Sequence, residues 1–377
     1  LMIYFIYFVI IISFIDNFAQ FPIISPFAEE IGGTSFMIGL TVGMYSFSNM
    51  VGNLVAGRWI DQIGRKKVMV VGMLIAAVSV LLYAFVYMPS QLVLVRFLHG
   101  IGGGLMVPAV FALLSDFKKE QTSGKAMSLS GAAIGIAAIL GPAFSGTLSE
   151  IYGRSFVFTS LFILLLITAI LVGLFLPESN MNGKMKKKSF LLPKKRIIQL
   201  RQSYIGAFAL MFSIGILTLM LPLKVKALGL GAASTGMLMS SYGVAAIILF
   251  LLPVSSWLKT IGKTTTMVAG MSIMAVALVL LSAFQSFGLL LVAMVLFGFG
   301  FALLFPAMTS LIIDKTEVEE RGRAFGIFYA FFSLGVVIGP IVIGLLGVSP
   351  NQGFIVASFI LLLLSVTIGR RRKVIAQ

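Results

Sequence analysis

The sequence predicts an all-α integral membrane protein, with twelve transmembrane helices in two pseudo-symmetric six-helix bundles. Three observations carry that expectation: the composition, the number and spacing of apolar runs, and an internal repeat of fixed offset. Hydrophobic residues make up 59% of the 377 and charged residues 11%, with a mean hydropathy of +1.09. A soluble fold of this size could not bury that share of apolar surface, so most of the chain is solvated by lipid. A hydrocarbon core of roughly 30 Å takes about 20 apolar residues per helical crossing, which leaves room for about twelve crossings with short connections.

Apolar runs bounded by charges or by Gly, Pro and Ser clusters fall at 3–27, 36–60, 68–87, 92–114, 127–148 and 156–176. A lysine-rich polar stretch follows, and then runs at 204–223, 233–252, 266–283, 287–313, 324–346 and 354–368. The expected organisation is an N-terminal bundle at 1–177, a basic cytoplasmic linker at 178–202 and a C-terminal bundle at 203–377. Ahead of Ile3 there is no basic stretch, and no small-residue cleavage site follows, so nothing reads as a signal peptide. A cytoplasmic leader preceding Leu1 is expected.

Orientation follows from the basic residues. Of the 28 Lys and Arg, all but Arg96, Arg154, Lys224 and Lys226 fall on the linker side of the predicted spans. By the positive-inside rule that side is the cytoplasm, which holds both termini of a multi-pass protein in the cell membrane. The net charge of +16 would suggest nucleic acid in a soluble protein. Here the basic loops flank a bilayer, so anionic lipid headgroups are the expected partner and nucleic acid is not. The 184–201 run reads as a solvated, topology-setting segment. With no cysteine and one histidine there is no thiolate nucleophile, no thiolate metal site and little from which to build an enzyme. No cofactor or metal is expected.

The repeat is set by Trp59 and Trp257, 198 residues apart. The same shift superposes Gly64/Gly262, Gly72/Gly270, Gly100/Gly298, Gly102/Gly300, Pro108/Pro306, Asp116/Asp314, Gly141/Gly339, Pro142/Pro340 and Gly146/Gly344 without a gap. Tandem halves are one architecture by which transporters build a central site between two rocking bundles.

Between spans two and three, Gly57-Arg58-Trp59-Ile60-Asp61-Gln62-Ile63-Gly64-Arg65-Lys66-Lys67 resembles the signature loop of the major facilitator superfamily. A tight turn at Gly64 carries an acid and several bases at a helix end, where helix dipoles and charges form a breakable latch. The resemblance implies a cytoplasmic gate of Gly57, Arg58, Asp61, Gly64, Arg65 and Asp116, with Arg65 paired to Asp116 and Asp61 facing the amino end of span eleven near Gly322 and Arg323. In the repeat Lys259 replaces Asp61, so a strong latch is expected only in the first half.

In span four, Arg96 to Gly102 resembles the arginine motif of proton-coupled members. The repeat mate of Arg96 is Met294, so the fold does not require the charge. An intramembrane arginine is functional by default; the alternative is snorkelling to the nearby surface. His99, three residues on, joins the candidate proton-coupling set, although packing accounts for a lone histidine more simply. In span five Gly131, Gly135, Gly141, Pro142 and Gly146 resemble the antiporter motif of drug exporters, with Ala137 and Ser145 standing where glycine is preferred. Ordinary small-residue helix packing explains much of that pattern.

Asp16 is the one acid interior to any predicted span, with the breakers Pro22 and Pro26 after it. An ionised carboxylate there is expensive, which is the behaviour a proton-coupling group needs. Its depth differs from that of Arg96 by about eight residues, ~12 Å at the helical rise, so linkage through a cavity is expected and direct contact is not. Asn17, Phe301, Phe305, Tyr329 and Phe332 are candidate cavity residues suited to apolar, aromatic or cationic solutes. The resemblance thus implies a monomeric drug/proton antiporter that moves a small molecule against protons. A sugar or metabolite importer and a lipid flippase are the rivals within the superfamily, and a non-transporting scaffold is the rival outside it.

Overall fold

A computed structural model describes residues 2–116, 123–178, 192–251 and 261–370. Trp257 and Lys259 lie outside the described residues. Those described form thirteen α-helices and one 3₁₀ turn, with no strand among them. In chain order they are α1 (Met2–Phe18), α2 (Ile24–Glu30), α3 (Ser35–Ile63), α4 (Arg65–Leu82) with the 3₁₀ turn Tyr83–Phe85, α5 (Pro89–Asp116), α6 (Ser123–Tyr152) and α7 (Arg154–Phe175). Then come α8 (Lys194–Ala227), α9 (Ala232–Leu251), α10 (Lys263–Ala283), α11 (Phe287–Lys315), α12 (Val318–Leu346) and α13 (Pro350–Arg370).

Ten of these helices are long and apolar enough to cross a membrane. The other two crossings are α3, diluted by Thr41, Ser46, Ser48, Asn49 and Asn53, and the pair α1 and α2. The first expected span is therefore one crossing made of two helices. It breaks after Phe18 because Pro22 lacks an amide hydrogen, whereas Pro26 falls in the first turn of α2, where no partner is needed. Helix α8, the seventh crossing, corrects a second expectation. It starts at Lys194 and runs to Ala227, so Lys224 and Lys226, read as loop residues, belong to a helix. Leu54, Leu174 and Phe359 are exposed on outward faces, as lipid requires.

The chain forms two compact units: Leu1–Met185 with Val225–Ser240, and Lys186–Lys224 with Ser241–Gln377. In the first, α5 is the central element, packed on α3 and α4. Lipid supplies no hydrophobic force between helices, so close approach of backbones must hold them, and small residues permit it. A Cβ on Gly52 would lie 2.8 Å from the Ile101 carbonyl oxygen, and one on Gly102 would lie 2.6 Å from the Ala76 nitrogen. In the second unit α10 packs on α11 and α13. There a Cβ on Gly270 would lie 2.8 Å from the Gly300 carbonyl oxygen, repeating the α4/α5 contact at the same sequence offset. Lys224, 3% exposed, donates to the carbonyls of Leu281 and Ser282 at the end of α10 and to Asn351 Oδ1. A cation there satisfies the carbonyls that a helix leaves open at its C-terminus.

Candidate functional site

The buried face of α1 carries Ile6, Val9, Ile10, Ser13 and Asp16. That spacing is helical, so the same periodicity that packs the apolar residues points the carboxylate inward. Asp16 is 1% exposed. Its Oδ2 lies 2.8 Å from Nε2 of His99 on α5, and the other ring nitrogen, Nδ1, lies 2.9 Å from the hydroxyl of Tyr83. His99 is fully buried, and the Tyr45 ring of α3 meets it edge-on with centroids 5.0 Å apart. Packing alone therefore does not describe this histidine: both nitrogens are engaged in polar bonds. The acid and the span-four motif are linked through the imidazole itself, one turn deeper than Arg96, and not through a cavity as the depths suggested.

Two protonation patterns satisfy this chain while the carboxylate is ionised. In the neutral ring Tyr83 donates to Nδ1 while Nε2–H donates to the carboxylate. In the imidazolium both nitrogens donate and the Tyr83 oxygen accepts. Arg96 is 3% exposed, so it does not snorkel. Its Nε donates to the Thr41 carbonyl at 3.1 Å, and its guanidinium stands 4.8 Å above the Tyr45 ring, a cation–π arrangement. Asp16 Oδ1, Arg96 Nη1 and both amide atoms of Gln20 are buried without a hydrogen-bond partner among the described residues.

At the other end of the unit, Arg65 Nε lies 3.1 Å from Asp116 Oδ2. Gly64 between α3 and α4 has φ +101°, open to glycine and strained for other residues. A Cβ there would meet the carboxylate of Glu178, which accepts from the Lys66 amide at 3.0 Å and so caps α4. Asp61, Gly57 and Arg58 are exposed on the last turns of α3. The second unit repeats the ion pair: Lys263, the mate of Arg65, bonds to Asp314, the mate of Asp116, and to the Ser310 carbonyl. The second copy thus keeps a base–acid pair at its turn even though Lys259 stands in place of Asp61.

A family model described as Major Facilitator Superfamily matches residues 6–202 and again 203–374. The chain belongs to the major facilitator superfamily. Among curated relatives it is 26% identical to Multidrug resistance protein 1 of Bacillus subtilis, over 89% of this chain and 87% of that one. It is 25% identical to Quinolone resistance protein NorA of Staphylococcus aureus, over 91% of this chain and 89% of that one. Among solved structures, a bacterial homologue of the human lysosomal transporter Spinster superposes with a TM-score of 0.82 at 12% identity, over 98% of this chain and 96% of that one. The nucleoside transporter NupG gives 0.78 at 14% identity, over 98% and 99%.

The remaining expected site residues of this facilitator fall in two places. On α6, a Cβ on Gly141 would lie 2.9 Å from Phe18 Cβ, so that glycine seats α1. Gly146 seats Ala232 and Gly236 of the 225–240 segment, and Pro142 accepts from Ser145 at 3.3 Å. Gly135 lies on the same helix and a Cβ on Gly131 would meet nothing, so close packing uses only part of the motif. In the second unit Phe301 and Phe305 stack at 5.9 Å, and Phe301 packs on Ala246, Leu249 and Ala302. Tyr329 is half exposed and meets Phe332 edge-on at 5.9 Å. Asn17 is partly buried beside the acid. Sequence reasoning passed over Tyr83, Tyr45, Gln20, Glu178 and Lys263. For Gln20 a signal existed, since it stands one helical turn after Asp16. Lys263 could have been found by applying the 198-residue shift to Arg65.

Proposed function

We propose that this facilitator is a secondary active transporter that exports small apolar or amphipathic, drug-like solutes in exchange for protons by alternating access. The observation that carries the reading is the buried Asp16–His99 pair, 2.8 Å apart within the membrane-spanning part of the first unit. With Asp16 ionised, His99 neutral and Arg96 charged, the cluster is neutral. One added proton leaves a net positive charge in a low-dielectric interior, and that state is relieved by a rearrangement that hydrates it. Proton binding is thereby tied to a conformational change, which is what exchange requires. Export of drug-like solutes is supported by the names of the relatives and by the aromatic faces of α11 and α12, whose rings suit apolar and cationic aromatic molecules. The transporter acts as a monomer in the cell membrane with its basic loops on the cytoplasmic side, against anionic headgroups.

The test is Asp16→Asn in proteoliposomes with an imposed pH gradient and ethidium as the transported probe. The amide keeps the size of the carboxylate and exchanges no proton. Gradient-driven ethidium flux falls to the rate of empty liposomes while the protein still inserts and elutes as a monodisperse species. Undiminished gradient-driven flux would remove Asp16 from coupling.

A further inference from the structure

A coupling proton has to reach an acid, Asp16, that is 1% exposed. At the end of the first unit remote from the Gly64 turn, a cleft of about 530 Å³ is lined by Phe27, Glu30, Tyr83, Tyr87, Arg154 and Ser155 among others. Glu30 and Arg154 form an ion pair within it, each more than a third exposed, and the Arg154 guanidinium stands 4.3 Å above the Phe27 ring. Water therefore reaches the cleft. Tyr83 belongs to both places, since it lines the cleft and bonds through its hydroxyl to His99. Around the Tyr83 ring, Phe158 packs with centroids 5.1 Å apart, and Phe27 packs on Phe158 at 6.0 Å. These rings are apolar and Tyr83 is itself only 1% exposed, so its hydroxyl is the polar group between the cleft and His99 and is covered in this conformation.

We propose that protons pass between this cleft and Asp16 through the Tyr83 hydroxyl and the His99 ring, an inference that rests on Asp16 being the coupling acid. Tyr83 gives its hydroxyl proton to His99 Nδ1 as its oxygen takes one from water entering from the cleft. The imidazolium so formed releases its Nε2 proton to Asp16 Oδ2. One proton has moved from water to carboxylate, Tyr83 is whole again, and His99 is left as its other neutral tautomer, with Nδ1–H donating to the Tyr83 oxygen. The reverse sequence returns the proton. A hydroxyl can serve both halves because it rotates between donor and acceptor. The charged and titratable groups facing the ring are Asp16 from α1, Tyr45 from α3, Tyr83 and Arg96, which stands against the Tyr45 ring and is within hydrogen-bonding reach of the Tyr83 side chain.

The chain lacks cysteine, so Ser155→Cys places one thiol at the cleft. A membrane-impermeant thiosulfonate applied from the cleft side should slow pH-driven ethidium flux roughly tenfold or more relative to the same protein before labelling. Ethidium exchange at equal pH, which moves no net proton, should slow much less. Tyr83→Phe should show the same selective loss, and Tyr83→His, which restores a group that can donate and accept, should recover part of it. If labelled Ser155→Cys and Tyr83→Phe keep full pH-driven flux while Asp16→Asn abolishes it, the route is wrong and the coupling acid stands. If Asp16→Asn also keeps the flux, both ideas fall. Equal loss of exchange and of net flux would make Tyr83 and the cleft structural and overturn the route.

Discussion

Helix α5 and its repeat mate α11 solve the same packing problem with different chemistry. Both are crossed closely by the preceding helix at mated glycines, Gly72 with Gly102 and Gly270 with Gly300. Both end in an acid paired with a base at the start of that preceding helix, Asp116 with Arg65 and Asp314 with Lys263. Between these shared ends the helices diverge. Where the first unit buries Arg96, His99 and Tyr83, the 198-residue shift puts Met294, Phe297 and Leu281, all fully buried. Even the edge-on tyrosine has a counterpart, since Tyr242 meets Phe297 with centroids 6.1 Å apart. The fold is therefore satisfied by an apolar core at these positions, and the polar chain in the first unit is there for something else.

The comparison breaks most severely if the first unit is made to copy the second. The quadruple variant Asp16→Leu, Arg96→Met, His99→Phe, Tyr83→Leu, which removes the buried carboxylate together with its partners, should insert and fold with thermal stability equal to or above that of the parent, because apolar replacement of a complete buried polar cluster is often neutral or gains about 1–4 kcal/mol. Gradient-driven ethidium flux should be lost, by roughly 100-fold or more if the chain moves the coupled proton. Thermal unfolding in detergent, measured beside proteoliposome flux, separates the two effects. A variant that fails to fold would show the cluster to be structural after all, and one that transports normally would make it irrelevant to coupling.

This divergence explains what the sequence could and could not reveal. Spans, halves and the repeat are legible because they depend on local hydropathy and on residue identity at a fixed shift, and the twelve crossings fall where the apolar runs do. Arg96 was visible as a charge among apolar residues, and Asp16 likewise. Their connection was not. A depth argument that counts rise along two helices compares Asp16 with Arg96 and rejects contact, yet it carries no information on which residue one turn deeper turns toward α1. That depends on the α3/α5 crossing set by Gly52 and Gly104. Tyr83 sits in a 3₁₀ turn at the end of an apolar run, where a tyrosine reads as an interfacial anchor. Only the tertiary arrangement turns its hydroxyl to the imidazole.

A smaller effect sharpens the comparison at the turns. Gly64 and Gly262 both have positive φ, +101° and +83°, so alanine at either should cost on the order of 1 kcal/mol from backbone strain. Space separates them. Among the described residues nothing lies within 4 Å of a Cβ on Gly262, whereas one on Gly64 would meet the Glu178 carboxylate that caps α4. Losing that cap adds about 0.5–2 kcal/mol, so Gly64→Ala should lower the unfolding midpoint more than Gly262→Ala. Glu178→Gln in the otherwise unchanged protein, which keeps the acceptor but removes the charge, should retain much of the cap. Equal midpoints for the two alanine variants would mean that Glu178 contributes nothing.

The smallest expected difference lies in the two ion pairs. Arg65 and Asp116 are 20% and 32% exposed, and Lys263 and Asp314 are 24% and 57% exposed. Both pairs sit near water, where such contacts are worth about 0.2–1 kcal/mol. The first is less exposed, and its guanidinium is the more weakly hydrated cation, so its attraction is screened less. Asp116→Asn should therefore cost slightly more than Asp314→Asn, with both losses shrinking in salt near 1 M, where the screening length is about 3 Å. Lys263 also donates to the Ser310 carbonyl, a bond that survives removal of the acid and further softens the effect of Asp314→Asn. Thermal midpoints of the two variants at low and high salt measure this directly. A larger, salt-insensitive loss for Asp314→Asn would show that the second turn depends on its pair for structure, and the parallel between the two units would then hold in sequence but not in energy.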